Sequence, residues 1–205
     1  MRHGHAEAVL PVVDRVMREA GHQPGAIDIV GVSTGPGGFT GIRVGLAAAH
    51  GIALATRARL AGITVFAAIA AKAGPGAPRG CEALLVAVDS RRDELYVQLF
   101  SREAVPLAEP AALLSGDLPA YIARVVGDSG LQIAGDASDA AALALAGRPR
   151  LSVASASACD APAVGMAAAR LLRAGKPLPP ARPFYLRPPD VTLAKRPPPT
   201  ENGSL

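Results

Sequence analysis

The residues best suited to chemistry lie in a glycine-rich stretch in the first quarter of the chain. Residues 31–35, GVSTG, match the G-x-S-x-G pattern that exposes a nucleophilic serine on a sharp turn after a strand. A serine hydrolase of that type also needs an acid and then a histidine later in the chain. The only later histidine, His50, falls inside a predicted helix with no acid between it and Ser33, and Pro36 interrupts the turn. The match is therefore interpreted as accidental.

Two phosphate-binding patterns fail on spacing in the same stretch. A P-loop needs Gly, four residues and then Gly-Lys-Ser/Thr, whereas no lysine occurs before Lys72. A dinucleotide fingerprint needs G-x-G-x-x-G, whereas Gly35, Gly37 and Gly41 give G-x-G-x-x-x-G. No acid follows before Lys72 to hold a ribose. The loop is therefore predicted to be structural.

Metal binding by histidine, cysteine and glutamate is the third chemistry that the sequence could support. His3, His5 and Glu7 could converge on one side of an extended segment, but they lie at a terminus without a further ligand of fixed geometry. Cys81 and Cys159 are far apart and have no nearby histidine. We therefore expect exposed histidines, cysteines that serve as small core residues, and no metal or cofactor bound by this chain itself.

Periodicity predicts the elements that position the glycine loop. Helices are expected where apolar residues recur every three to four positions, and strands where short apolar runs end in turn residues. Predicted helices cover residues 6–20, 42–56, 138–146 and 161–174, predicted strands cover 27–33, 83–89, 94–100 and 131–134, and residues 63–72 read as a short strand passing into a helix. A strand, the glycine loop and a helix make an α/β unit, and the charged turn between residues 89 and 94 predicts an antiparallel hairpin.

Two predicted helices have unusual faces. The first is amphipathic, with Val13 and Met17 on its apolar side. The second repeats Gly41, Gly45, Ala49 and Ala53 every four residues, which leaves one side with almost no bulk. A neighbour can pack closely there, either this chain's own sheet or a helix of another subunit.

The residue Arg43 lies in the first turn of the second predicted helix. A cation is unfavourable at this position because the helix dipole is positive at its N-terminus. We therefore expect a specific carboxylate or carbonyl partner that offsets this cost.

The composition is that of a folded protein with a cationic end. Of 205 residues, 50% are hydrophobic and 19% charged, which excludes a disordered chain. The longest uncharged apolar run, residues 61–71, is too short to cross a bilayer. The net charge is +4, and residues 170–196 hold seven cations against one acid, Asp190. This end is either a solvated tail or an arm that touches phosphates, and 3% aromatic content without Trp argues against a base-stacking sheet.

Four sequence blocks resemble one family. GHAEAVLPVVDRVM, VGVSTGPGGFTGIRVGLAAAHGIA, DSRRDELYVQLF and RPFYLRPPDVT resemble, in this order, the bacterial TsaB family, also called YeaZ. The resemblance implies the ASKHA superfold of actin and sugar kinases, an α/β fold with two halves. It assigns residues 1–75 to an N-terminal half, 76–175 to a C-terminal half and 176–205 to a partly disordered Pro-rich basic tail.

The resemblance also implies a function without catalysis. TsaB-like proteins are partners of the catalytic TsaD subunit in a complex that also contains the ATPase TsaE and makes threonylcarbamoyladenosine beside the anticodon of ANN-decoding tRNAs. ATP and metal are then expected on the partner subunits, and tRNA is expected to be bound through the complex. In TsaD relatives a histidine pair binds the metal, whereas residues 62–73 of this chain contain no histidine. A cytoplasmic location without membrane contact is expected.

Residue roles follow from the resemblance together with spacing. Family members pair through their first two helices, with TsaD or with another copy of themselves. The predicted interface residues are Leu10, Val13, Met17, Leu46, Ala49 and Ala53. The predicted structural glycine loop comprises Gly35, Pro36, Gly37, Thr40, Gly41 and Arg43.

The chain departs from the family at its start. Family chains open with a β-meander, whereas this sequence begins at the first helix, so its first half is expected to be truncated, short of strands, and Met1 to be an internal methionine. The alternative function is a stand-alone ASKHA-type phosphotransferase or glycoprotease-like hydrolase. That enzyme needs converging acid and base groups, for which Asp89, Asp93 and Glu94 around the hairpin turn are the candidates.

Overall fold

The protein has a mixed α/β architecture with two sheets. A computed structural model describes residues 5–154 and 158–187. In chain order, the helices and strands are α1 (His5–Glu19), β1 (Ile29–Gly35), α2 (Phe39–Thr56), β2 (Arg59–Thr64), α3 (Val65–Ala73), β3 (Cys81–Asp89), β4 (Glu94–Ser101), β5 (Ala111–Leu114), α4 (Leu118–Val126), β6 (Gly130–Ala134), α5 (Ser138–Ala144), β7 (Leu151–Val153) and α6 (Ala161–Arg173). The smaller sheet has the order β1-β2, and the larger has the order β5-β4-β3-β6-β7.

The smaller sheet is parallel and covered by helices. Strands β1 and β2 pair from Ile29 with Arg59 onward, and α2 and α6 pack against them. A Cβ added at Gly31 would lie 3.2 Å from Val164 and 3.3 Å from Ala168, so the absent side chain lets α6 lie close to β1. Among the described residues, no strand pairs with the second edge of β1.

The position of β2 corrects the sequence prediction for residues 63–72. The strand lies earlier, at Arg59–Thr64, and the alanine-rich stretch after it is helix α3. The Thr64 side chain accepts a hydrogen bond from the Ala67 backbone N–H at 3.1 Å and so begins this helix. Strand β1 therefore pairs with β2, although the sequence predicts no neighbouring strand for it.

The larger sheet is buried on both faces. Strands β3 and β4 form the predicted antiparallel hairpin, and β6 and β7 run parallel to β3. Leu85 faces the cluster formed with α4 and α5, whereas Leu84 and Val86 face Phe66 of α3. Because successive side chains point to opposite faces, β3 reads as a continuous apolar run.

Three elements, β5, β7 and α4, are not predicted from the sequence. Strands β5 and β7 have only four and three residues, too few to show a period. Pro119 opens α4 in its first turn, where proline is tolerated, although it resembles a loop residue in the sequence. Helix α1 continues through Pro11.

A C-terminal segment, residues 176–187, lies against the smaller sheet. The Gly62 N–H donates to the Pro179 carbonyl at 2.9 Å, and the Phe184 N–H donates to the Thr34 carbonyl at 2.8 Å. These bonds hold the described part of the predicted tail against β2 and the end of β1. Asp190, Lys195 and Arg196 of the cationic run lie outside the described residues.

Adding a methyl group at Gly62 is expected to destabilise the protein. A Cβ there would lie 2.3 Å from the Pro180 carbonyl oxygen, so Gly62→Ala should lower the free energy of unfolding by about 2 kcal/mol. Gly51 on α2 is the matched control, because its added Cβ meets nothing within 4 Å. Gly51→Ala should raise stability by up to ~1 kcal/mol. Urea unfolding of both variants measures this, and equal effects would contradict the packing of the C-terminal segment.

The stability of the contact between α3 and α6 should depend on pH. Asp160 caps α6 by accepting from the Ala163 N–H at 2.9 Å, and Lys72 Nζ of α3 donates to it at 2.6 Å. The Lys72 hydrogen bond, followed by the Ala163 N–H, lowers the pKa of Asp160. A lowered folded-state pKa stabilises the fold above the unfolded-state pKa of about 4, and this contribution is lost as pH falls through the folded-state value.

Substituting Asp160→Asn tests this dependence. Asparagine keeps the cap acceptor but removes the charge that Lys72 contacts. The variant should unfold at a lower urea concentration than the parent at pH 7, and the two midpoints should approach each other as the pH falls below the unfolded-state pKa of about 4. A midpoint difference that stays constant with pH would contradict a role for the Asp160 charge.

Candidate partner interface and glycine loop

Helix α1 exposes apolar side chains on its outer side. It packs on α2, and Val9, Val13 and Met17, spaced every four residues, are half-buried. Leu10 and Val16 remain 55% and 52% exposed. None of the described side chains of α1 is fully buried, so the described residues cover only one side of this amphipathic helix.

Helix α2 buries two of the four ridge residues, Ala49 and Ala53, against this chain's own core. Leu46 and Ala49 form a core cluster with Val32 of β1 and Ile42, and Ala53 is also buried. This corrects the prediction that Leu46, Ala49 and Ala53 face a partner. The small side chains bring the helix close to this chain's own sheet, which was the other interpretation of the ridge.

The outward side of α2 carries a different set of residues. Arg43, Ala47 and His50 are exposed, and Leu54 is 84% exposed. We use the name α1–α2 outer face for the four exposed apolar side chains on these two packed helices, Leu10, Val12, Val16 and Leu54. By length and composition alone α2 could also cross a membrane, but that is weak evidence, because core helices of globular proteins pass the same test.

The glycine loop turns the chain from β1 into α2. Gly35 has φ +108°, and an added Cβ would lie 2.8 Å from Ile42 and 2.9 Å from the Phe184 carbonyl oxygen, so both conformation and space require glycine. Pro36 is buried and follows a cis peptide bond. The remaining predicted loop residues Gly37, Thr40 and Gly41 are exposed.

Arg43 has an aromatic partner instead of the expected carboxylate or carbonyl. Its guanidinium carbon lies 3.8 Å from the centre of the Phe39 ring, and its Nε donates to the Tyr185 hydroxyl at 3.4 Å. The rings of Phe39 and Tyr185 stack with centres 5.9 Å apart. The negative ring face stabilises the cation against the helix dipole. The contact also joins the glycine loop to the RPFYLRP block.

Sequence reasoning missed Phe39 and Tyr185 as site residues. A local signal exists for the first, because Phe39 precedes Arg43 by one helical turn. Tyr185 has no such signal, since it approaches only through the path of the C-terminal segment.

A cleft of about 550 Å³ is lined by Asp89, one of the three acids of the enzyme alternative, and by Asp136, which sequence reasoning does not name. Asp89 Oδ1 accepts from the Arg91 N–H at 2.7 Å, and Asp136 Oδ1 accepts from the Asp89 N–H at 2.9 Å. Glu94, by contrast, pairs with Arg187, and Asp93 is exposed. These acids therefore hold turns and an ion pair.

The cleft also contains a thiol but no cluster of metal ligands. Burial, opposed by a hydrogen bond with Ser33, raises the pKa of the Cys159 thiol, which keeps it protonated and weakly nucleophilic. Within residues 5–154 and 158–187, no group of three His, Cys, Asp or Glu side chains could hold a metal ion. His3 lies outside these ranges.

Comparison with known proteins decides the family. The family model described as "TsaD: tRNA N6-adenosine threonylcarbamoyltransferase" matches residues 1–174. The chain belongs to this family. Within it the chain is of the TsaB/YeaZ type, because the similar curated proteins and solved structures carry these names. The predicted membership in the TsaB/YeaZ family is thereby confirmed.

Two curated relatives are named "tRNA threonylcarbamoyladenosine biosynthesis protein TsaB". That of Escherichia coli K12 is 29% identical over 99 residues, which cover 48% of this chain and 42% of the relative. That of Haemophilus influenzae Rd is 31% identical over 101 residues, which cover 49% and 42%. The match therefore spans less than half the length of either TsaB relative.

Solved structures confirm the fold. A structure described as "YeaZ from Pseudomonas aeruginosa" superposes with a TM-score of 0.66 at 23% identity, covering 89% of this chain and 84% of that chain. A second, described as an uncharacterized protein from the same organism with similarity to peptidase YEAZ, gives the same values. The predicted ASKHA-type α/β fold is therefore confirmed for this TsaB/YeaZ-type chain.

A charged side chain at position 49 is expected to destabilise the protein, because Ala49 is only 5% exposed and packs between α2 and β1. Ala49→Glu should lower the free energy of unfolding by roughly 3 kcal/mol through burial of an unpaired carboxylate. Ala47, two residues earlier and exposed, is the control, and Ala47→Glu should change stability by less than about 0.5 kcal/mol. Urea unfolding distinguishes the two variants. Similar stability of both would contradict the inward orientation of the ridge.

Proposed function

We propose that this chain is a non-catalytic subunit in the biosynthesis of tRNA threonylcarbamoyladenosine. It binds and stabilises a TsaD-type catalytic subunit through the α1–α2 outer face. The observation that carries the proposal is this apolar surface in a chain of the TsaB/YeaZ type. The TsaB relatives are named as biosynthesis proteins of this modification.

The outer face suits a helix-to-helix contact. Leu10, Val16 and Leu54 are each more than half exposed, and exposed apolar residues on neighbouring helices are typical of interaction surfaces. Burying such side chains contributes about 25 cal/mol per Å² of apolar area. A partner helix laid on α1 would cover the side that this chain leaves open. Val13 and Met17 would then support the contact from the half-buried side.

The partners and location follow from the same proposal. ATP and metal belong to the TsaD-type subunit and a TsaE-type ATPase, and tRNA is bound by the complex. In the absence of the TsaD-type subunit, a second copy of this chain occupies the outer face. The complex works in the cytoplasm without membrane contact.

A stand-alone phosphotransferase or hydrolase of the ASKHA type is the second candidate. The cleft near Asp89 and Asp136 is the observation in its favour. Their engagement in turn hydrogen bonds favours the scaffold instead. Turnover of a phosphoryl donor or a peptide by the isolated chain would support the enzyme and contradict the scaffold.

A charge at Leu54 should weaken the subunit contact and leave the fold intact. Leu54→Glu is expected to weaken binding to the TsaD-type subunit at least about tenfold, the effect of an interface residue worth ~1.4 kcal/mol. Isothermal titration calorimetry with the separately purified TsaD-type subunit measures the affinity. Leu143 on α5 is the matched control, since it is 80% exposed against 84% for Leu54.

Leu143→Glu should bind the TsaD-type subunit like the parent. Equal affinity of the parent, Leu54→Glu and a similar Val16→Glu variant would refute the proposed interface. Loss of self-association alone, with the affinity for the TsaD-type subunit retained, would assign the outer face to a homodimer.

A further inference from the structure

The exposed aromatic residues of this chain lie together. Of its seven Phe and Tyr residues, Phe39 and Tyr185 are the exposed ones, at 48% and 41%, and the other five are buried or half-buried. They are 146 positions apart in the sequence, yet their rings stack. With Arg43 they form a surface that we name the aromatic–arginine patch. Exposing two large rings side by side has no role in the core and is typical of a binding surface.

The patch presents both ring surface and positive charge. The Arg43 guanidinium stacks on the Phe39 ring, and its Nε donates a hydrogen bond to the Tyr185 hydroxyl. Within the described residues no acceptor contacts its two terminal Nη nitrogens, which leaves them available to an anion. The first turn of α2 contains no acid, and the exposed Arg182 lies three residues before Tyr185. The local balance of charge is therefore positive.

Exposed ring surface beside positive charge is the combination that binds RNA. Unpaired bases stack on exposed aromatic rings, and arginine binds phosphate through its planar fork of N–H groups. The patch lies on a helix end and the C-terminal segment, so the low aromatic content that argues against a stacking sheet does not exclude it. The net charge of +4 favours an anionic partner of this kind.

We infer that the aromatic–arginine patch is a direct RNA contact of this chain, in which a base stacks beside Tyr185 and Phe39 and Arg43 binds a phosphate. The inference rests on the proposed function, because that function supplies a tRNA as the RNA. It goes further in giving this chain its own tRNA contact, separate from the α1–α2 outer face that binds the TsaD-type subunit.

The test is fluorescence anisotropy with a labelled, unmodified tRNA transcript. The full chain is titrated alone and in complex with its TsaD-type subunit. Phe39→Ala and Tyr185→Ala should each weaken tRNA binding about tenfold, the usual effect of removing one stacking ring. Phe39→Tyr, which keeps a ring, should bind like the parent. Arg43→Gln should lower the slope of log affinity against log salt by about 0.7, the loss of one phosphate contact on a single strand.

The chain offers a matched control for the arginine. Arg124 on α4 also lies over an aromatic ring, 5.7 Å from the centre of Tyr121, but belongs to the other sheet's helix layer. Arg124→Ala should leave the tRNA affinity unchanged. Urea unfolding of every variant identifies any loss of binding that comes from a loss of fold, in which case Arg43→Gln and Phe39→Tyr decide the outcome.

Three results would overturn the inference. The first is no tRNA binding by the parent, alone or in complex, at low salt. The second is parent-like affinity of the Phe39→Ala and Tyr185→Ala variants in both settings. The third is loss of binding to the TsaD-type subunit with tRNA affinity retained, which would make the patch a protein contact. Failure of the proposed function itself would appear separately, in the Leu54→Glu and Leu143→Glu comparison.

Discussion

Close packing against the two-stranded sheet at three glycines is the constraint on which the site depends. Gly31 admits α6, Gly62 admits the backbone at Pro180, and Gly35 admits the Phe184 carbonyl. Two strands alone make a marginal sheet, so these approaches supply the cover that stabilises it. They also set the path of the C-terminal segment, and that path places the Tyr185 ring on Phe39.

Helix α2 separates the packed side of the smaller sheet from the two proposed binding surfaces. Its inward side, with Ile42, Leu46 and Ala49, fills the space above the smaller sheet. Its outward side carries the aromatic–arginine patch at the first turn and Leu54 near the last. One rigid element can thus hold two binding surfaces at a fixed separation, since an α-helix rises about 1.5 Å per residue.

The sequence predicts local features of this fold better than distant ones. The β3–β4 hairpin is recognisable because two apolar runs flank a charged turn, and helices α1, α2 and α6 because a helical period runs through more than ten residues. Strand β7, with three residues, shows no period. The ridge containing Ala49 was ambiguous because a small side chain suits a sheet as well as a partner helix. The contact of Arg43 with Tyr185 was invisible because it joins residues that only the folded chain brings together.

The long return of the chain to its first sheet has a consequence for synthesis on the ribosome. Strands β1 and β2 precede the larger sheet along the chain, yet α6 and residues 179–184, which cover them, follow it. The larger sheet, β3 to β7, closes within a continuous stretch and can form while translation continues. During synthesis, β1 and β2 therefore stay partly uncovered until α6 and residues 179–184 have left the exit tunnel.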